Sequence, residues 1–344
     1  YALLREQLRA RGADCAVVSG SNLFYLSNGI SGERFGLLPT DELPLTVAVN
    51  GRHLIDVPAS VIVESQEWVR DVRPGSDVSP LVARIQELRL ENGTIGVASR
   101  NLPLDAYQLL QKALPSAKLL DVSDIFADAR TLKSEEEVAL LEQANRVFDA
   151  GIARMAERVR PGMTGSDSVR EGIQGMWAAG GDLDSTIGFN FGAVAKQNPV
   201  LADLCLTRTI RPGDIGTLTG HSEFGHYAGH SDQEISFGQP SSMHREMFEA
   251  VLRVRKTVLA TVRPGTTQGD LVEVYRRACQ ETGFKSSPHS QMHQYGIDVP
   301  EFPGPKFKAP EAGAPGQTGG RNFVLASGMM YSISPTLVAP NGED

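Results

Sequence analysis

Apolar positions along this chain change period repeatedly, and each change marks an element. Residues 3–11 place apolar side chains at helical spacing, and residues 15–18 form a short unbroken apolar run that ends in the turn-prone Ser19-Gly20-Ser21-Asn22. Residues 45–49, 53–56 and 94–97 read as strands, and helical periodicity over residues 80–90 and 105–114 alternates with them. Ser79 ahead of Pro80 marks a helix start, because a serine side chain accepts from an orphan N–H and proline is tolerated in the first turn. Such alternation predicts a mixed α/β domain. Ser134 followed by Glu137 then writes a capping box at the head of a new helix, and Glu135 and Glu136 suit its positive end. The chain is expected to divide into residues 1–127 and residues 128–344.

The second part repeats itself. One predicted helix ends at Val159-Arg160-Pro161-Gly162-Met163-Thr164 and a later one at Val262-Arg263-Pro264-Gly265-Thr266-Thr267. Each is followed by an amphipathic helix, over residues 167–179 and 269–282, and then by glycine-rich strand segments. A matching hexapeptide in a matching order of elements points to duplication. Duplicated halves would pack about a pseudo-twofold axis and leave a cleft between them.

Between the repeats, residues 213–238 hold three of the seven histidines. Residues 215–219 and 227–237 alternate as strands, and residues 220–225 supply turn residues, so a hairpin is predicted. Side chains on a strand repeat every two residues, which puts His226, His230, Asp232 and Glu234 on one face. A solvated edge strand or the floor of a site would carry such a row.

Composition narrows the partners. The 344 residues carry a net charge of -8, with 41% hydrophobic positions, enough for two cores but without the basic footprint a nucleic-acid backbone requires. No apolar run reaches a membrane span, and the first residues form an amphipathic segment unlike a signal peptide. Cys15, Cys205 and Cys279 are scattered, with no metal-binding pair and no disulfide framework, which suits a reducing cytoplasm. A small-molecule substrate is the expected partner, with neither nucleic acid nor membrane.

The order and spacing of Gly213-Asp214, Tyr227, His293-Gln294-Tyr295-Gly296, Glu301-Phe302-Pro303 and Gly328-Met329-Met330-Tyr331-Ser332-Ile333-Ser334-Pro335 resembles the creatinase, prolidase and aminopeptidase P superfamily. The resemblance covers essentially the whole chain, including Lys133-Ser134 at the head of the second domain. It implies an α/β (α+β) fold class: a small creatinase-like α/β amino-terminal domain, followed by a duplicated pita-bread domain with pseudo-twofold symmetry. A homodimer is implied as well. These motifs are specific for the fold and much less so for the chemistry.

Peptidases of that superfamily hold two metal ions with two aspartates of the hairpin, a histidine and two glutamates, because hard cations need clustered, bridging carboxylates. The matching positions here hold Thr219, His230, His293 and Ser334, and the second glutamate would fall after Asp344. Pro300 stands where the superfamily's His-Glu-x-Pro has its histidine, with Glu301 kept. A metal-free variant on the creatinase pattern is implied instead, yet Gln197 replaces the creatinase-type catalytic histidine and a glutamine shuttles no proton at neutral pH. Asp232 matches one of creatinase's substrate-binding glutamates, and Ser334 replaces the other.

The expected site is therefore histidine-centred, with no cofactor. His230 and His293 would carry proton transfer, Asp232 and Glu301 would orient a ring or bind a cationic group, and Tyr227 would donate to an oxyanion. Gln197, Thr219 and Ser334 would bind polar substrate, and Arg34 would clamp a carboxylate in a neighbouring subunit's site. His221 and His226 are expected at the surface beside the turn, and residues 303–320 as a loop over the cleft. The reaction expected is cleavage of a carbon–nitrogen bond in a small polar molecule. The alternatives are a non-catalytic binding module, an Xaa-Pro aminopeptidase or prolidase, and a mononuclear site with one transition metal on His230 and His293.

Overall fold

Cys15 to Val18 is apolar at every position because both faces of its strand are covered, which removes any reason to alternate. The computed structural model describes residues 1–27, 35–41, 43–49, 69–98, 102–191, 206–286, 291–301 and 324–338. Contacts divide the chain into two units, Tyr1–Arg130 and Thr131–Asp344.

The first unit runs α1 (Ala2–Ala10), β1 (Cys15–Ser19), α2 (Gly20–Ser27), β2 (Phe35–Pro39), β3 (Thr46–Val49), β4 (Asp71–Pro74), α3 (Ser79–Glu87), β5 (Thr94–Val97), α4 (Leu104–Ala113), β6 (Lys118–Asp121) and α5 (Ser123–Ala129). Its strands form one sheet in the order β4-β3-β2-β1-β5-β6, mixed parallel and antiparallel. Ala16 and Val18 pack with Leu4, Leu8 and Phe126 on one face, while Cys15 and Val17 pack with Leu81, Ile85 and Leu110 on the other.

Two local expectations shift. Ser19 to Asn22, expected as a turn, instead closes β1 and opens α2, because Leu23, Phe24 and Leu26 need burial on one helical face. Ser79 is the first residue of α3, with Val78 at the cap position, and its N–H donates to Asp77 Oδ1 at 2.7 Å. The strand expected over residues 53–56 lies outside the described residues.

The second unit runs α6 (Glu135–Arg158), α7 (Gly165–Ala178), β7 (Thr186–Phe191), β8 (Ile215–Phe224), β9 (Tyr227–Ser236), α8 (Ser242–Leu259), α9 (Gln268–Thr282), β10 (Lys285–Ser286), β11 (Gln291–Gln294), β12 (Tyr331–Ser334) and β13 (Leu337–Val338). The capping box at Ser134 forms in both directions, Glu137 N–H to Ser134 Oγ at 3.2 Å and Ser134 N–H to Glu137 Oε2 at 2.8 Å.

The repeat is written in hydrogen bonds as well as in sequence. Thr164 with Asp167, and Thr267 with Asp270, make the same reciprocal cap. Gly162 at φ 99° donates to Ile210 O at 2.9 Å, and Gly265 at φ 90° donates to Leu325 O at 2.9 Å. Each half has its own core: Phe148, Met155, Met176, Phe189 and Leu218 in one, and Val254, Val258, Leu271, Tyr275 and Met292 in the other.

The hairpin β8–β9 is longer than its sequence pattern suggests. Residues 220–224, expected in the turn, continue β8, and the turn contracts to Gly225 and His226 at φ 57° and 63°. Positive φ at both central residues is the two-residue turn whose twist matches the flanking strands. The hairpin lies directly on α6. Ser222 Oγ donates to Ala144 O at 2.5 Å, and a Cβ on its partner Gly229 would come within 2.4 Å of the Ala144 carbonyl carbon. Neither backbone has room to yield. Gly229→Ala is expected to destabilise the second unit by about 1–3 kcal/mol through overpacking, read as a fall in the urea midpoint at unchanged m-value.

Candidate functional site

The helices cover one face of each half-sheet, and the candidate polar residues sit on the other. In the hairpin, Leu218, Ser222, Tyr227 and Gly229 are buried on the face packed against the helices. Antiparallel register then puts Thr219 opposite Asp232 and His221 opposite His230 on the second face. In the other half, Met292 enters the core beside Leu271 and Tyr275. Alternation therefore turns His293 away from that core, on the same side of its ladder as Ser332 and Ser334.

The two histidines meet. Their ring centroids lie 5.0 Å apart at 39°, with the Tyr295 ring edge-on to His230 at 6.5 Å. His230 Nδ1 contacts Gly220 O at 2.7 Å and His293 Nδ1 contacts Gln294 O at 3.0 Å. A carbonyl only accepts, so each neutral ring carries its proton on Nδ1 and its lone pair on Nε2. Burial pushes the His293 pKa below the ordinary imidazole value, the backbone hydrogen bond opposes that, positive charge on His230 adds to it, and Asp232 opposes it. The balance of these effects disfavours the charged form of His293.

Asp232 is exposed, and one of its oxygens accepts from Thr219 Oγ1 at 2.6 Å. Ser334 shares its ladder face with His293, two positions along the strand from the residue opposite it. His221, expected at the surface beside a longer turn, is a half-buried member of the site face, and its pKa is lowered by burial and then by His230, against Asp184. Placing the turn at Gly225 and His226 would have revealed the pairing with His230.

Two expected site residues are turned elsewhere. Tyr227 has the opposite strand parity to His230, and its hydroxyl donates to Glu137 Oε1 at 3.0 Å at the head of α6. Glu301 is buried, with Oε2 on Lys133 Nζ at 2.6 Å and Oε1 accepting from the N–H groups of Ile297 at 3.0 Å and Asp298 at 3.3 Å. Both carboxylate oxygens make contacts within the fold there. Arg34, Gln197 and the loop over residues 303–320 lie outside the described residues.

The donor set decides what metal chemistry fits. A dinuclear centre of hard cations needs bridging carboxylates, and the superfamily's positions present two hydroxyls and two imidazoles. Asp232, the acid beside them, is a single carboxylate, and one of its oxygens accepts from Thr219. These residues do not fit that centre. Among the described residues, three donor groups lie together at the hairpin tip instead, in Asp182, Glu223 and His226, with ligand atoms within 4.8 Å of one another. Burial raises the Glu223 pKa, Asp184, Asp182 and Asp298 reinforce that, and His226 opposes it. No helix among the described residues is long and apolar enough to cross a membrane.

Comparison with known proteins gives the geometry a context. Residues 139–344 match metallopeptidase family M24, and residues 2–132 match the creatinase/prolidase N-terminal domain. A creatinase from a Bacillus species is 24% identical over 365 residues, covering 99% of this chain and 83% of the relative. An Xaa-Pro dipeptidase from Lactobacillus helveticus is 23% identical over 346 residues, covering 94% and 87%. The crystal structure of the prolidase from Pyrococcus horikoshii OT3 superposes with a TM-score of 0.77 at 20% identity over 99% of this chain and 91% of that one.

Two measurements follow from the site's internal contacts. Because the native His293 pKa lies below the unfolded value near 6.5, the unfolded chain binds more protons in that window. Stability should fall as pH drops from about 7 into that window, and His293→Gln should flatten the slope in urea titrations across it. Tyr227→Phe should cost about 0.5–1.5 kcal/mol of stability in the same titrations, the loss of one hydrogen bond to the α6 cap.

Proposed function

The chain belongs to metallopeptidase family M24, and from that membership we propose a hydrolase of carbon–nitrogen bonds that works through its histidine pair without a metal. The observation that carries this reading is the 5.0 Å approach of His230 and His293 at positions where the superfamily's metal ligands stand. Hydrolysis of an amide, amidine or guanidino bond needs one proton taken from attacking water and one delivered to the departing nitrogen. His293, neutral and with its lone pair on Nε2, takes the first. Charge on His230 disfavours a proton on His293, so the proton that His293 takes from water passes on to the leaving group. Asp232, fixed by Thr219, offers its other oxygen to a cationic group of a small polar substrate. A cytoplasmic homodimer, in which a partner subunit supplies Arg34, belongs to the same proposal.

A second reading has its own support. Several curated relatives are Xaa-Pro dipeptidases, and the matched family is a metallopeptidase family, which favours metal-dependent dipeptide hydrolysis. The donor set speaks against it, because two of the matching positions are hydroxyls.

Metal content and turnover of protein purified without chelator separate these readings, with guanidino, amide and Xaa-Pro dipeptide substrates. The proposal expects turnover that survives chelation, and a loss of about 10²–10⁴ in kcat/KM for both His230→Ala and His293→Ala. Bound metal that disappears in both variants, together with chelator-sensitive dipeptide cleavage, selects the second reading. Tight ligand binding without turnover selects a binding module.

A further inference from the structure

The Gln294 carbonyl that fixes the His293 tautomer is itself held from a distance. It accepts from His293 Nδ1 at 3.0 Å and from the Glu301 N–H at 2.8 Å. Glu301 folds back over the intervening loop, accepts from Ile297 and Asp298 through Oε1, and pairs through Oε2 with Lys133. Lys133 and Glu301 side chains are 1% and 3% exposed, and the Lys133 N–H is anchored on Gly328 O at 2.8 Å. The same loop reaches the other histidine's strand, since Ala228 N–H donates to Gly296 O at 2.7 Å, two residues before His230. Gly296 leaves room for that carboxylate, since a Cβ there would meet Glu301 Oε2 at 2.6 Å.

We infer that Lys133 and Glu301 are positioning residues that set the tautomer of His293 by fixing the Gln294 carbonyl. Without that acceptor the ring is free to carry its proton on either nitrogen, and the lone pair on Nε2 is lost for part of the population. Neither residue touches substrate. Their action runs through two carbonyls, Gln294 O on the His293 side and Gly296 O on the His230 side. The inference deepens the proposed function, resting on His293 as the site's proton acceptor, but its test reads the ring and not turnover.

The experiment is a two-bond proton–nitrogen correlation spectrum of the histidine rings in the full ¹⁵N-labelled chain, for wild type and two double variants. Lys133→Met with Glu301→Gln removes both charges and keeps an oxygen for the Ile297 and Asp298 N–H groups. Lys133→Met with Glu301→Leu removes the charges and that acceptor. Wild type and the glutamine variant should show His293 with its proton on Nδ1. The leucine variant should change the His293 tautomer ratio by about tenfold, the effect of losing one hydrogen bond, while His230, tied to Gly220 O, stays as it was. A folded leucine variant with His293 still wholly in the Nδ1–H form overturns the inference. Should that variant not fold, hydrogen exchange on wild type decides: the Ile297, Asp298 and Glu301 amides should exchange at least about a hundredfold slower than open loop, and exchange at the open rate overturns the inference. A tautomer shift in the leucine variant of a chain that shows no turnover supports this inference and removes the functional one.

Discussion

Two opposite charges, Lys133 and Glu301, lie 2.6 Å apart in the interior of the second unit, and the site is arranged around them. A buried ion pair contributes little net stability compared with apolar residues of the same size, but removing one partner strands the other at a cost of about 3–5 kcal/mol. Such a pair therefore fixes geometry more than it adds stability. Here it ties the residue ahead of the α6 cap to the loop that follows β11. That loop in turn holds the carbonyl that orients His293 and the carbonyl that meets β9 beside His230.

Sheet geometry supplies the rest. Each half of the second unit packs one strand face on its own pair of helices and so has only the other face left for polar chemistry. The close approach of Ser222 and Gly229 to Ala144 seats the hairpin on α6 with little freedom to rotate. Imidazoles delivered from two such faces arrive with fixed register, and their Nδ1 contacts to main-chain carbonyls fix which nitrogen is basic. Preorganisation of this kind is what proton transfer between fixed groups requires.

The family frame and the site chemistry pull in different directions. The relatives include a creatinase and Xaa-Pro dipeptidases, and the fold is shared with a prolidase structure. The donors presented here are imidazole and hydroxyl groups with one tethered carboxylate, a set suited to moving protons and poorly suited to bridging two hard cations.

Local chemistry made much of this legible in advance. The capping box at Ser134, the twin Pro-Gly turns with their threonine caps, and the alternation that puts His230 and Asp232 on one face are all written within a few residues, where propensity and hydrogen bonding act directly. Sequence by itself thus determined the duplicated α/β architecture and the candidate histidines. It did not determine what Glu301 and Tyr227 would do. Glu301 meets Lys133 across 168 positions and Tyr227 meets Glu137 across 90, and no local period encodes such a contact. The exact turn of the hairpin, and with it the place of His221 opposite His230, was likewise fixed only when β8 extended over α6 to bury Ser222. Those assignments belong to tertiary structure because burial, not pattern, chooses which partner satisfies a charge.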